Sequence, residues 1–289
     1  VEEQHQIAHE CFVEPGGIGN FLIMARRLGL SAAVLGRLGD DEHGRRVRAM
    51  LSAEGVDLSG VSVVDGAPTA QCFVLVDDAG RHVFLAVRSE TIDMPWLADW
   101  RARLAQARAL FCNGYALLKA ASAQHVLDAI KQCQSADTPV FFDPGPMIAQ
   151  IDPRAMDECL RRSAVILLTS AEARALVGES NPRDAARMLL RQGVRMVIVK
   201  LGSEGCLLTT RERTVRLPAL AVSARDTTGA GDAFNAACVV GALRGDSLEQ
   251  IGALANAVGA ATVTKLGTGT RLPQRREIDA LMRSGASIA

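Results

Sequence analysis

A run of small residues followed by an acid is the part of this sequence best suited to chemistry. Residues 225–235 read RDTTGAGDAFN, and Gly229, Ala230 and Gly231 are small enough for their backbone amides to approach an anion closely. Apolar residues recur at helical spacing after this run, so it opens a helix whose free amides and positive dipole end attract an anion. Asp232 lies in that first turn. An acid beside an anion site suits phosphoryl transfer to a hydroxyl, because one group accepts the proton while the donors hold the migrating charge.

The same run resembles a signature of a known enzyme family. An isolated aspartate near a helix start is more often a cap than a catalytic group. Residues 226–232 (DTTGAGD), however, resemble the second signature of the ribokinase-like (PfkB) carbohydrate kinases. The resemblance implies that Gly229, Ala230 and Gly231 form the anion hole for the transferred phosphoryl group. It also implies that Asp232 is the base that accepts the proton from the sugar hydroxyl.

A second motif lies near the start of the chain. Residues 15–20 (PGGIGN), followed by ARRLG at 25–29, are similar to the first signature of the same family. There the glycine pair and the asparagine touch the sugar, which implies sugar contacts for Gly16, Gly17 and Asn20. The glycine pair is one residue nearer to Asn20 than in most relatives. The family normally begins with a strand that carries a substrate-binding Asp. Either the sequence is truncated before that strand or this member lacks the contact, and we expect truncation.

The resemblance also implies a nucleotide site. Residues 199–205 (VKLGSEG) resemble the nucleotide loop of the family, so Lys200 would reach an ATP phosphate while Gly202 and Gly205 let the backbone approach. Asn256 matches a position near the adenine, and we expect Thr228 to contact the nucleotide as well.

Two acids have both a functional and a structural interpretation. Asp143 begins a DPGP segment that resembles the Asp-Pro-Asn motif of the family, which implies substrate binding, although a simple turn explains it equally well. Glu172 follows Thr169 where relatives carry Asn-x-x-Glu, and it could order the water shell of Mg²⁺. A Thr with a Glu three residues later is also a capping box without any metal.

Other acids suggest weaker cation sites. Asp226 and Thr228, with the loop 267–270, fall where relatives place a monovalent cation, so K⁺ is a possible cofactor. The acidic run 40–42 is better explained as a first helical turn favoured by the dipole than as a metal site.

The remaining pattern predicts an α/β fold. Short apolar strands alternate with helices, which predicts a mostly parallel sheet covered on both faces, with ligands at the carboxyl ends of its strands. The expected strands are 32–36, 109–112, 139–143, 165–168 and 196–200. Polar residues follow or end these strands, namely Asn113, Asp143, Thr169, Glu172 and Lys200. We therefore expect one doubly wound, ribokinase-like domain over 1–289, with helices on both sides of the sheet.

Residues 61–90 predict a separate β-hairpin. The runs 69–76 and 81–87 are joined by DDAG, and both faces of the pair are apolar. A hairpin with two apolar faces needs cover, so we expect the active-site cleft on one face and a second subunit on the other. In relatives such a sheet is a lid and often a dimer clasp. We expect the lid to comprise about 5–13 and 61–90, with an edge strand at 6–13 and a homodimer formed through it.

Composition excludes several classes of protein. Lys plus Arg and Asp plus Glu are 32 each, so no global field attracts nucleic acid or an anionic membrane. The seven cysteines lack metal-ligand spacing and lie mostly in apolar runs, which predicts reduced core residues. The sequence has no apolar run of membrane-spanning length and no signal peptide, so we expect a cytoplasmic protein. None of the four lysines follows a glycine, which excludes a P-loop.

The sequence thus predicts an ATP- and Mg²⁺-dependent sugar kinase, and two alternatives stay open. A nucleoside kinase on the same scaffold would stack a base on lid aromatics, for which Phe12, Phe73 and Phe84 are the candidates. A non-catalytic module that senses a sugar or nucleotide would bind its ligand without consuming ATP.

Overall fold

The computed structural model describes residues 8–77, 81–87 and 98–285. Its strands are β1 Gly36–Gly39, β2 Val61–Val64, β3 Gln71–Val76, β4 His82–Val87, β5 Leu110–Asn113, β6 Val140–Asp143, β7 Val165–Thr169, β8 Met196–Lys200, β9 Cys206–Thr210 and β10 Thr214–Leu217. Its helices are α1 Ile18–Arg27, α2 Glu42–Ala53, α3 Ala98–Gln106, α4 Ala120–Ser135, α5 Pro153–Arg162, α6 Ser170–Val177, α7 Pro182–Arg191, α8 Ala230–Arg244, α9 Leu248–Val263 and α10 Arg275–Gly285.

A six-stranded sheet is the centre of the fold. Its strand order is β10-β9-β8-β7-β6-β5; β5 to β8 are parallel, and β9 and β10 run antiparallel to their neighbours. The central strands are apolar at nearly every position because helices cover both faces of a parallel sheet. The carboxyl ends of β6 and β8 carry Asp143 and Lys200, so the predicted polar edge exists.

Two helical layers enclose this sheet. Alternate residues of one strand enter different cores: Ile198 packs with α1, α8 and α9, whereas Val197 and Val199 pack with α4, α5 and α7. Helix α8 is apolar on nearly all sides because it lies between α1, α9 and the sheet. The expected doubly wound, mostly parallel architecture is confirmed.

Strands β3 and β4 form the predicted hairpin, apart from the main sheet. Phe73 pairs with Leu85 and Cys72 with Ala86, so these pairs mark its two faces. The Phe73 face is the more exposed, with its large apolar side chains 55–61% accessible. Strands β1 and β2 form a further parallel pair.

Two strand predictions were wrong. Residues 8–13 form no strand, while 6 and 7 lie outside the described residues. Side chains position this segment instead, because Phe12 packs against the Arg271 guanidinium and Glu14 accepts hydrogen bonds from Thr270. The lid described here therefore excludes 8–13. The strand expected at 32–36 begins only at Gly36, and Ala33 forms just an isolated bridge to Asp57.

The acidic turn at 40–42 has the predicted helical role. Asp41 caps α2 and accepts hydrogen bonds from the Gly44 amide and from the amide and hydroxyl of Thr69. The Thr69 amide and hydroxyl are the main causes that lower the pKa of Asp41 to about 2.

The cysteines only partly match the expectation of core residues. Cys133, Cys159, Cys206 and Cys238 are buried, whereas Cys11 and Cys72 are exposed; all seven are free thiols. Within the described ranges, no helix combines the length and apolar character needed to cross a membrane.

Candidate active site

The first turn of α8 presents Asp232 at the polar edge of the sheet. Gly229 precedes the helix with φ 75°, a left-handed conformation that favours glycine. A Cβ at Gly229 would also lie 2.9 Å from the Asn20 amide nitrogen, so no larger residue fits without displacing that side chain. The start of α8 therefore requires glycine at position 229, both for its backbone conformation and for the space beside Asn20.

The amides of this turn are mostly available to an anion. Ala230 donates a long, 3.3 Å hydrogen bond to the Thr227 carbonyl. Within the described part of the chain, the amides of Gly229 and Gly231 form no internal hydrogen bond. Two of the three predicted anion-hole amides can thus donate to a ligand, with the helix dipole behind them.

Asn20 contacts the predicted base. Its amide nitrogen donates to Asp232 Oδ2 at 3.0 Å, and its Oδ1 accepts from the Gly269 amide at 2.8 Å. The side chain is 2% exposed. Asn20 was expected to touch the sugar, and the structure shows that it fixes the carboxylate and the 267–271 loop.

The environment of Asp232 makes it a stronger base than the helix dipole alone predicts. Burial is the main cause that raises its pKa to about 6, and the charge of Asp143 adds to it. The Asn20 hydrogen bond and the charge of Lys200 act in the opposite direction. Asp232 is thus a carboxylate that is still ionised at neutral pH but close to titration.

A buried acid, Asp143, lies behind this turn. Asp143 Oδ2 accepts hydrogen bonds from Lys200 Nζ at 2.7 Å and from the Asn235 amide, and Oδ1 accepts from the Gly145 amide at 2.8 Å. Asp143 therefore forms both the turn and an ion pair. A side-chain contact of Asp143 with substrate stays a proposal.

Lys200 is held as a cation at the end of β8. Burial alone lowers the pKa of Lys200, but the nearby charges of Asp143 and Glu172 outweigh it, and the pKa ends above its ordinary value. Its Nζ would lie 3.8 Å from a Cβ placed on Gly231. The positive charge therefore lies next to the anion turn, where a phosphate would meet it.

Glu172 forms the capping box that its spacing predicts. Its Oε2 accepts from the Thr169 amide at 2.7 Å, and the Thr169 hydroxyl accepts from the Glu172 amide. No hydrogen bond to Oε1 is present among the described residues. Within these residues, no three His, Cys, Asp or Glu side chains are grouped to hold a metal by themselves.

Asp226 ties two loops together. Its oxygens accept hydrogen bonds from the Thr228 and Gly267 amides, each at 2.9 Å, and the residue is 2% exposed. It forms no ion pair within the described ranges, and the buried Thr228 hydroxyl has no hydrogen-bond partner there. A buried carboxylate without a cation is costly, so these groups fit a bound cation.

Of the residues predicted to bind the nucleotide, one has open space beside it and two make contacts within the protein. Gly202 is exposed, with φ 61° and open space beside it. Gly205 is buried, and a Cβ there would lie 2.0 Å from the Leu217 carbonyl oxygen. The Asn256 amide donates to the Leu217 and Pro218 carbonyls. Gly205 and Asn256 therefore shape the chain after β10.

This difference predicts unequal effects of alanine at the two glycines. Gly202→Ala is expected to lose about 1–2 kcal/mol, because only the left-handed backbone disfavours it. Gly205→Ala is expected to lose more than that, since φ 93° and the Leu217 clash act together. Urea unfolding of both variants measures the difference, and equal losses would contradict the role given to the clash.

The glycine pair before α1 lies open to solvent. Gly16 and Gly17 are exposed, and a Cβ on either would meet no atom within 4 Å. Their carbonyls accept from the amides of Gly19 and Asn20, which starts the helix. A ligand can approach this backbone closely, as the resemblance implies.

Sequence reasoning missed two residues at this site. Asn235 lies one turn after Asp232 on α8 and contacts both Asp143 and Lys200, and its i+3 spacing was a usable signal. Tyr115, in the turn after β5, had no such signal. Burial raises the pKa of the Tyr115 phenol, followed by the charges of Asp232, Asp143 and the nearby Cys72 thiol. Because Cys72 belongs to β3, its face of the hairpin lies beside the cleft.

Comparison with known proteins agrees with this geometry. Residues 2–275 match the sequence profile described as pfkB family carbohydrate kinase. The chain belongs to the PfkB family. It is therefore a carbohydrate kinase, a phosphotransferase with an alcohol group as acceptor.

Individual PfkB relatives extend over most of this chain. Fructokinase-1 of Oryza sativa is 33% identical over 93% of this chain and 88% of its own length. An uncharacterized sugar kinase of Archaeoglobus fulgidus is 31% identical over 86% of this chain and 97% of its own. The structure of Arabidopsis thaliana ribokinase with ribose and ATP has a TM-score of 0.84 at 24% identity, covering 98% of this chain and 92% of that chain.

Proposed function

We propose that this PfkB kinase transfers the γ-phosphoryl group of ATP to a hydroxyl group of a sugar. The observation that carries the proposal is the position of Asp232, which is hydrogen-bonded to Asn20 and lies beside the amides of Gly229 and Gly231. These two amides have no partner among the residues that the structure describes. An acceptor hydroxyl within reach of Asp232 would lie next to a phosphoryl group held by these amides. Ribose and ATP, the ligands in the structure of the Arabidopsis ribokinase, are consistent with this reaction class.

In this mechanism Asp232 accepts the hydroxyl proton as the acceptor oxygen attacks phosphorus and the bond to ADP breaks. Charge spreads over the transferred phosphoryl oxygens, and the amides of Gly229 and Gly231 donate to them. Lys200 adds a positive charge beside the same turn. Ala230 contributes through the helix dipole, since its amide already has an internal acceptor.

The residues present fit Mg²⁺ bound through water. Glu172 keeps one carboxylate oxygen without a hydrogen bond among the described residues, and Mg²⁺ commonly binds few carboxylates and several waters. Mg²⁺ would neutralise charge on the ATP phosphates. Within this proposal Glu172 orients those waters, and its capping bond to Thr169 fixes its position.

A monovalent cation such as K⁺ fits between the loops that Asp226 joins. Its carboxylate lacks a positive partner among the described residues, and the Thr228 hydroxyl beside it lacks an acceptor. The cation would stabilise the anion turn from behind. Activity in K⁺ compared with choline, at equal ionic strength, tests this part.

We favour a sugar over a nucleoside, because two of the three aromatics predicted to stack on a base are not placed to do so. Phe12 packs under Arg271 at 3.8 Å from ring centroid to guanidinium carbon, so it is not free to stack on a base. Phe73 shares the exposed hairpin face with Leu85, whereas Phe84 pairs with Val74 on the Cys72 face. Only Phe84 of the three predicted aromatics therefore faces the cleft side.

An assay of ADP release tests the proposed reaction. The full chain is given ATP and Mg²⁺ with a panel of ketohexoses, aldopentoses and nucleosides. We expect turnover with at least one sugar and little with any nucleoside. Turnover that is restricted to nucleosides would replace the sugar assignment, and ligand binding without ADP release would indicate a sensing module.

The fall of kcat/KM on the acid side of the pH profile, its acid limb, should follow the protonation of Asp232. The base must be ionised to accept a proton, so kcat/KM is expected to rise about tenfold per pH unit below its pKa of about 6 and to level off above it. Asn20→Ala removes a hydrogen bond that lowers this pKa, and the limb should move to higher pH. A limb that stays in place in Asn20→Ala would assign it to another group.

The exposed hairpin face is the proposed dimer surface. Phe73, Leu75, Val83, Leu85 and Val87 are all more than half exposed on one face of β3–β4. A contiguous apolar face of this kind favours contact with a second copy. Light scattering of the Leu75→Asp variant and of the wild type tests this surface, since we expect the variant to be a monomer.

We also propose a cytoplasmic location for this kinase.

A further inference from the structure

An arginine-lined groove lies at the end of the sheet opposite the active site. Strand β8 begins at Met196, which pairs with Thr210 of β9, and it ends at Lys200. The groove is bounded by α7 and by the turn between β9 and β10, near the Met196 end. At about 3.3 Å per residue, roughly 13 Å of β8 separates the two ends.

One wall of this groove is a stripe of arginines on α7. Asn181 caps the helix, Pro182 begins it, and its apolar side faces the core. Arg183, Arg187 and Arg191 lie four residues apart on the opposite, exposed side. Like charges at this spacing disfavour the helix by a few tenths of a kcal/mol per pair.

The other wall adds more positive charge. Arg211 and Arg213, in the turn between β9 and β10, line the same groove, and Glu212 is its only acidic lining residue among those described. Arg213 pairs with Glu249, and Arg187 with Asp184 at 3.7 Å. No ion pair is present for Arg183, Arg191 or Arg211 within the described ranges.

The floor of the groove has an unsatisfied polar group. Thr209 lines it with Leu190 and is 1% exposed, and its hydroxyl has no hydrogen-bond partner among the described residues. A buried hydroxyl without a partner costs free energy. The floor thus has a donor beneath the arginines.

A second groove of this chain also contains arginines, but carboxylates pair with most of them. It is lined by Gln134, Arg154, Asp157, Glu158, Arg161 and Arg162. Its Arg161 and Arg162 pair with Asp157 and Glu158, so carboxylates balance most of its charge. Counting only the described part of the chain, the α7 groove has three arginines without a carboxylate partner, and the other groove has one.

We infer that the α7 groove binds a small molecule with two or more phosphate groups. Guanidinium groups bind phosphate oxygens in pairs of hydrogen bonds. From Arg183 to Arg191 the helix rises about 12 Å, which exceeds the reach of one phosphate. The groove volume of ≈ 500 Å³ suits a small ligand. The chain has no net charge, which disfavours a nucleic acid as the occupant.

The test is a calorimetric titration of inorganic tripolyphosphate into the full chain at low salt. Arg187→Gln with Arg191→Gln is expected to weaken the groove site at least tenfold. Arg154→Gln with Arg161→Gln changes two arginines of the other groove and should leave the affinity within twofold. Tripolyphosphate bound at the anion turn is common to all variants, so it does not alter the comparison.

Thr209→Val provides an independent readout. Replacing an unsatisfied buried hydroxyl by a group of the same shape should leave the thermal midpoint unchanged or raise it. The same variant should bind tripolyphosphate more weakly if the hydroxyl donates to the ligand. This combination separates a binding role from a folding role.

Three results would overturn the inference. One is an unchanged affinity in the α7 double variant when circular dichroism shows that it is folded. Another is equal weakening in both double variants, which would indicate nonspecific attraction. The third is an affinity for a single-stranded RNA oligomer that falls more in the Arg187 and Arg191 double variant than the affinity for tripolyphosphate does. That result would assign the groove to nucleic acid.

Discussion

Asp232→Asn is expected to lower turnover by about three orders of magnitude while the fold and nucleotide binding persist. A positioned general base typically contributes about 10²–10⁴ in rate, and the amide keeps the size of the carboxylate. Because burial raises the pKa of Asp232 to about 6, its charge opposes folding above that pH. This opposition is lost as pH falls through 6 towards the unfolded value. The variant should therefore be at least as stable as the wild type at pH 7.5, with no advantage at pH 4.

Kinetics and calorimetry of the same samples check this prediction. Asp128→Asn, an exposed aspartate on α4 that accepts from Gln124, is the matched control and should retain wild-type turnover. Turnover within tenfold of the wild type in Asp232→Asn would exclude a base at this position. A lower thermal midpoint at pH 7.5 would show that the carboxylate supports the fold.

Lys200→Met should cost about 3 kcal/mol of unfolding free energy. It leaves Asp143 as a buried charge without its cation, and side chains of this pair are only 12% and 11% exposed. Breaking a buried pair by removing one partner is typically worth 3–5 kcal/mol. Adding Asp143→Asn in the same chain removes the orphaned charge, so the double variant should recover part of the loss.

Urea unfolding of these variants gives the coupling between the two residues. Lys265→Met is the surface control, since Lys265 pairs with Glu277 where both side chains are 35% exposed. That loss should stay below about 1 kcal/mol. If Lys200→Met is no more damaging than Lys265→Met, or if the double variant loses as much as Lys200→Met alone, the ion pair does not support this edge of the sheet.

Periodicity predicted four of the six strands of the main sheet, β5 to β8, because helices cover both of their faces, but it did not predict β9 and β10. The runs that became β5 to β8 are continuous apolar segments, and no end of these strands differs by more than one residue from the expected bounds. The segment 8–13 has similar β-forming residues, but its Phe12 and the adjoining Glu14 contact the 267–271 loop. A contact across more than 250 residues leaves no local pattern.

Motifs predicted which residues meet at the site, but not which side-chain contacts they make there. The segments of Asn20, Asp143, Lys200 and Asp232 converge, as the family resemblance implied. Sugar binding by Asn20 stays a prediction, and the contacts of its side chain with Asp232 and Gly269 had no signal in the sequence. Such roles depend on side-chain direction, which a sequence pattern does not specify.

Position distinguishes Cys72 from the other cysteines. It is exposed on the cleft-side face of β3 near Tyr115, whereas Cys133, Cys159, Cys206 and Cys238 are buried. Burial also raises the pKa of the Cys112 thiol, which lowers its reactivity. With Cys11 changed to serine, a maleimide fluorophore would thus label Cys72 selectively. The emission of this fluorophore would then measure changes in the surroundings of the β3–β4 hairpin when ligands bind.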